Sequence, residues 1–174
     1  QKIYFLPNGK ISEQHFLIDQ DEWVVEVNTY FDTLLTKTEY FTGGENFVNY
    51  EYVYNDNNQI EVSMELSNDS VVSVSYFTYN EQNQLKKEST ENNNGKLIIE
   101  YEYNENGKID ARFETIENTD ETINNSEYFD YNDKGLMTKS VQLSGVDTMV
   151  YHSYLYDELN RCSKMYIMSG GDTI

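Results

Sequence analysis

The chain has 174 residues, 38% of them hydrophobic, with sixteen Tyr, eight Phe, one Pro, one Cys and a formal charge of −19. That length suits one ordinary domain or one array of repeats and suffices to bury a core. The charge repels phosphate backbones and anionic lipid, which argues against nucleic-acid binding; no apolar run approaches membrane-spanning length, and one cysteine excludes an internal disulfide.

The predicted elements follow a phrase that recurs along the chain. An aromatic anchor is followed by a turn-forming tetrad and then by an aliphatic residue. Phe5 opens the first copy and leads through Pro7, Asn8 and Gly9 to Ile11. A shortened second copy starts at Tyr30. Complete copies run from Tyr54 to Ile60, Tyr79 to Leu85, Tyr103 to Ile109, Tyr131 to Met137 and Tyr156 to Cys162. The seven anchors (5, 30, 54, 79, 103, 131 and 156) recur at about 25 residues, the mark of one supersecondary unit repeated.

Residues before each anchor alternate. Tyr50, Tyr52 and Tyr54 share a face, as do Leu97, Ile99, Tyr101 and Tyr103. After the turn, period-two patterning suggests a second strand with one buried face: Ile60, Val62, Met64 and Leu66, or Ile109, Ala111 and Phe113. The fourth residue after the anchor is Gly9, Asn58, Asn83, Gly107, Gly135 or Asn160, the residue types that accept a left-handed backbone cheaply. Asn55, Asn80, Asn104, Asn132 and Asp157 are placed to close Asx-type turns. Looser turn signals, such as those around Gly43, Asn68, Gly95, Asn118 and Gly145, separate the copies. Residues 12–27 form the least regular stretch. The segment 169–174 parallels 144–149, so the chain stops where an eighth unit would begin; the expectation is either a missing end cap or a natural protein that continues, the array then being truncated at its C-terminus.

The expectation is an all-β protein: one repeat domain over 1–174, an antiparallel meander of about seven hairpins and roughly thirteen strands. A sheet that wide is expected to be curled or twisted, or to form an incomplete barrel, with the Tyr and Ile face inside.

Chemistry-bearing residues are sparse. His15 and His152 lie about five repeats apart in no metal-ligand or nucleophile–base spacing, so His152 reads as a core-lining or edge histidine. Cys162 occupies an aliphatic slot and reads as a buried, inert thiol. Asn55 to Asn58 and Asn132-Asp133 offer oxygens, but the distal bidentate Glu of a calcium loop is missing, and Asx turns explain them. No catalytic residue, metal ligand or cofactor site is nominated. Trp23, Tyr76, Tyr128 and Tyr151 fall off the buried register and are the candidate ligand-contact aromatics.

The segment from Tyr154 through Tyr156-Asp157-Glu158-Leu159-Asn160-Arg161 resembles the YD repeat of the Rhs family, whose pattern is Tyr-x-Tyr-Asp-x-x-Gly-Arg-Leu. The copies at Tyr52/Tyr54, Tyr101/Tyr103 and Phe129/Tyr131 resemble it more loosely. In that family the repeats form hairpins that spiral into a β-shell around a toxin. Seven copies are too few for a shell and no toxin domain is visible, so the resemblance implies the hairpin fold rather than toxin delivery. The first copy, from Tyr4 to Ile11, is similar to the MORN-variant repeat of YwqK-type antitoxins. The Asn-rich style is similar to exported Bacteroidetes proteins of unknown function. Asp32-Thr33-Leu34, Asp69-Ser70-Val71, Asp147-Thr148-Met149 and Asp172-Thr173-Ile174 resemble that phylum's O-glycosylation acceptor sequence.

These resemblances imply a non-enzymatic exported module of the periplasm or cell surface that binds a protein or glycan. Two alternatives stand beside it. One is an immunity or antitoxin-like partner whose acidity complements a basic toxin; the other is a fragment of a longer Rhs-like shell.

Overall fold

The computed structural model describes residues 1–19, 22–145 and 147–169. The C-terminal parallel at 170–174, with the triplet Asp172-Thr173-Ile174, lies outside the described residues. Fourteen strands follow one another, one more than expected, and no described residue is helical. They are β1 (Lys2–Phe5), β2 (Ile11–Asp19), β3 (Glu22–Phe31), β4 (Leu34–Thr42), β5 (Glu45–Tyr54), β6 (Ile60–Ser67) and β7 (Ser70–Tyr79). There follow β8 (Leu85–Asn92), β9 (Gly95–Tyr103), β10 (Ile109–Asn118), β11 (Thr122–Tyr131), β12 (Met137–Ser144), β13 (Asp147–Tyr156) and β14 (Cys162–Ser169). Strand order in the sheet equals chain order, an antiparallel meander that does not close into a barrel. The chain divides into two compact units, Gln1–Phe77 with Thr90–Asn93, and Thr78–Ser89 with Asn94–Ile174.

The tight turns form as their residue types dictate. Gly9, Asn58, Asn83, Gly107, Gly135 and Asn160 all have φ between 59° and 82°. In the Tyr54 copy, Asn58 N–H donates to the Asn55 carbonyl (3.0 Å) and Asn55 N–H to the Gln59 carbonyl (2.9 Å). The Asn55 side-chain oxygen then accepts the N–H groups of Asn57 and Gln59 (2.9 and 3.1 Å). Asn80, Asn104, Asn132 and Asp157 repeat this pair of side-chain contacts. One short side chain thus satisfies two turn donors that no strand partner reaches.

Five of the anchor tyrosines also reach sideways. The Tyr30 hydroxyl donates to the Ile11 carbonyl (3.0 Å), Tyr54 to Leu35 (2.8 Å), Tyr103 to Leu85 (2.7 Å), Tyr131 to Ile109 (2.9 Å) and Tyr156 to Met137 (2.7 Å). The acceptor is always the aliphatic residue of the preceding copy, at the start of the neighbouring strand. One side chain therefore joins successive hairpins. The first copy has Phe5 in that place, without a hydroxyl.

A β-bulge follows the turn in these copies and changes the expected core. Ile60 pairs with Tyr54, but Val62 pairs with Val53, leaving Glu61 unmatched. Ser12, Thr36, Asp110, Thr138 and Ser163 are skipped in the same way. Where the extra residue carries a hydroxyl, it donates to the carbonyl just before the anchor. Ser12 does so to Tyr4, Thr36 to Thr29, Thr138 to Asp130 and Ser163 to Leu155, at 3.1–3.2 Å. An inserted residue shifts the facing of everything after it. Ile60 consequently shares the tyrosine face, whereas Val62, Met64 and Leu66 share the other with Val53. The expected single apolar face is in fact divided over both sides of the sheet. Among the described apolar side chains only Ile99 (8% exposed) and Ala111 (2%) are buried, and the anchor tyrosines are half-buried.

Two further expectations are corrected. Outside residues 20 and 21, the stretch 12–27 lies largely in strand: β2 and β3 pair from Glu13↔Val27 to Leu17↔Trp23, with a register shift between Leu17 and Asp19. Phe16-Leu17-Ile18 and Val24-Val25 place apolar groups on both faces, which erases the period-two contrast. Cys162 is exposed rather than buried. Among the described residues β14 has β13 as its single neighbour in the sheet, and all but Met168 of its residues are exposed.

Candidate binding surfaces

Because the anchors, Asx residues and left-handed corners are occupied in folding, binding chemistry falls to side chains outside the repeated phrase. In the first unit, Trp23 on β3 sits beside His15 (ring centroids 6.3 Å), which in turn meets Tyr4 (5.4 Å). Lys2 Nζ stands 5.4 Å over the indole, and His15 Nε2 contacts the Glu13 carboxylate. Tyr76 on β7, opposite Val62, is 47% exposed. Trp23 and Tyr76 lie on strands four apart in sheet order, so the structure does not bring them together.

In the second unit the two remaining aromatics share one cross-strand row. Tyr128 on β11 and Tyr151 on β13 both pair with Val141 on β12. Ala111 precedes Tyr128 in this cross-strand row and Met168 follows Tyr151. At roughly 4.8 Å per strand, the row from Ala111 to Met168 extends about 19 Å. Phe113 makes an edge-on contact with Tyr128 (6.0 Å), and Lys139 Nζ stands 5.5 Å over Tyr151. Tyr128 remains 44% exposed.

On the other face of this unit, Glu114 accepts from Arg112 (2.8 Å) and Asn125 (3.0 Å), and Glu127 accepts from Gln142 (3.2 Å). The Asn125 hydrogen bond, opposed by partial burial and assisted by Arg112, holds the Glu114 carboxyl below its usual range. These groups line a small cleft and satisfy one another. The hydroxyl of Ser140 lies 3.2 Å from His152 Nδ1, but Ser140 is only 3% exposed, so a substrate does not reach it. His152 stacks on Tyr154 (6.2 Å). Among the described residues no group of three or more His, Cys, Asp or Glu is arranged to hold a metal ion.

One site escaped sequence reading. Tyr40, Phe47, Val48, Tyr50 and Tyr52 in the first unit line an open cleft of about 490 Å³. Tyr40 meets Phe47 at 6.3 Å and Tyr50 edge-on at 6.0 Å. The Tyr40 hydroxyl donates to Glu26 (3.1 Å), which also accepts from Gln14 (3.2 Å) and Asn28 (2.8 Å). Burial first, then the Glu26 charge and hydrogen bond, push the Tyr40 phenol up to about 12. Burial and the Glu65 charge raise that of Tyr50. The signal available in sequence was Tyr50 and Tyr52 at alternate positions. It was absorbed by the expectation that this face is inside.

Compared with known proteins, the chain matches no family model and no curated protein.

Proposed function

We propose that this chain is a non-enzymatic, exported binding module of the cell envelope, built from YD/Rhs-like hairpin repeats. Its ligand, a protein or a glycan, lies against the aromatic row of the second unit. The observation that carries this reading is the pairing of exposed Tyr128 and half-buried Tyr151 with the same Val141, which puts two rings on one face of the sheet. Export is supported by the resemblance of the repeats and by the acceptor-like triplets. Thr33 and Ser70 of two of these triplets stand exposed at or beside hairpin turns, where an enzyme could reach their hydroxyls. The charge of −19 favours a second reading, an immunity-type protein that binds a basic toxin.

The test compares wild type with Tyr128→Ala/Tyr151→Ala in a pull-down from an envelope fraction of the source organism and on a glycan array. Loss of a specific partner in the variant, with an unchanged circular dichroism spectrum, supports the module. Equal capture by both proteins removes the row from the binding surface.

A further inference from the structure

We propose that the aromatic cleft of the first unit is a receptor for an arginine side chain presented by a basic polypeptide. Register places the parts. On one face, Glu26 of β3 pairs with Tyr40 of β4, and Tyr40 pairs with Val48 of β5. One step along, Thr38 pairs with Tyr50, and Tyr50 pairs with Glu65 of β6. The rings of Tyr40, Tyr50 and Tyr52 are therefore bracketed by a carboxylate on each side, Glu26 and Glu65. Val48 and Phe47 add apolar wall.

Aromatic faces attract cations through the ring quadrupole, and a carboxylate beside the rings adds Coulomb attraction. Among the described residues, the cation–ring contacts are Lys2 with Trp23, Lys10 with Tyr30 and Lys139 with Tyr151, all on other rings. The cleft thus sets aromatic rings between two carboxylates; Glu26 is already held by Tyr40, Gln14 and Asn28, which leaves Glu65 to meet the charge of a guest.

Charge and shape together select the guest. A guanidinium is planar, stacks on a ring and forks to a carboxylate, while its methylene stem covers apolar wall such as Val48. The cleft is open and about 490 Å³, room for a side chain carried by a backbone that stays outside. A surface of net charge −19 steers basic segments toward it. This site and the Tyr128–Tyr151 row lie in different units, so failure of either proposal leaves the other standing.

The experiment is an NMR titration with a short Gly/Ser peptide carrying one arginine, run beside the same peptide with neutral citrulline and beside tetramethylammonium. The measurements are made in 150 mM salt to suppress diffuse attraction. The expected result is saturable shifts on the rings of Tyr40, Phe47, Tyr50 and Tyr52. Citrulline should bind about tenfold or more weakly, and Glu65→Gln and Tyr52→Leu should each weaken the arginine peptide about three- to tenfold. Glu65→Gln leaves the Gln14–Glu26–Asn28 network in place, so its fold is checked by unchanged shifts there. Equal binding of citrulline overturns the proposal. So do non-saturating shifts spread over the acidic surface. Tetramethylammonium binding as tightly as the peptide would assign the cleft to a free small cation instead.

Discussion

The Tyr103 hydroxyl donates to the Leu85 carbonyl at 2.7 Å, across the border between two successive hairpins. The same contact recurs at Tyr30, Tyr54, Tyr131 and Tyr156. A spacing of about 25 residues is therefore a structural requirement: it returns a phenol to the carbonyl of the previous copy. Such a bond contributes roughly 1 kcal/mol net, because the unfolded partners bond to water instead. Tyr103→Phe is expected to lower unfolding free energy by about 1 kcal/mol. Tyr103→Ala, which also removes the half-buried ring, should cost about 3 kcal/mol. Urea denaturation of the two variants checks both values. A neutral Tyr103→Phe would mean that water replaces the phenol at Leu85 without loss.

The left-handed corner after each Asx residue makes a sharper demand on residue type. Gly107 has φ +72°, and Asn holds the equivalent corners at Asn58, Asn83 and Asn160. Gly107→Asn should be tolerated within about 0.5 kcal/mol, while Gly107→Val should cost about 2 kcal/mol or more, since a β-branched residue resists positive φ. Gly95 is more restrictive still. At φ +144°, an added Cβ would lie 2.0 Å from the Glu117 carbonyl oxygen, so backbone must move. Gly95→Ala is expected to destabilise more than Gly107→Ala, and thermal melts of the pair decide the order.

Much of the turn chemistry was legible because it is local. Asn or Asp followed three residues later by Gly or Asn dictates a backbone shape whatever surrounds it, and the structure shows that shape in every full-length copy. The bulge residues were not legible. Glu61, Asp110, Thr138 and Ser163 differ in chemistry and follow the same phrase spacing. Skipping one residue leaves no trace in an alternating pattern, yet it moves Val62 to the face opposite Ile60. That shift is why one buried face was expected and two half-buried faces are found. The aromatic cleft was hidden for the same reason: Tyr50 and Tyr52 look like core only if their face is covered.

Half-buried phenols also set an alkaline limit. Burial raises the phenols of Tyr54, Tyr79, Tyr103 and Tyr131, and pushes Tyr40 to about 12 with help from Glu26. A folded-state value above the unfolded 10.0 means that the native protein holds more protons between the two values. Stability from these groups is therefore complete below about pH 10 and falls as pH rises through the folded values. Denaturation midpoints should be level from pH 8 to 9.5 and decline from 10.5 to 11.5, and absorbance at 295 nm should show a late-titrating class of phenols. A midpoint unchanged at pH 11.5 would contradict the assignment.

Cys162 gives a direct reading of the last described strand. It sits in the slot that Ile60, Leu85, Ile109 and Met137 fill elsewhere, a position that suggests shelter, yet it is exposed. The inner copies shelter that slot because a further strand follows and its tyrosine folds over the junction, as Tyr156 does at Met137. The described part of β14 has no such neighbour. An accessible thiol reacts with a disulfide reagent at the rate of a free cysteine, whereas a buried one waits for unfolding. Cys162 in the native 174-residue chain should therefore be modified about as fast as in urea, and Cys162→Ser should leave stability nearly unchanged. Protection of more than about a hundredfold would show that something covers this strand in solution.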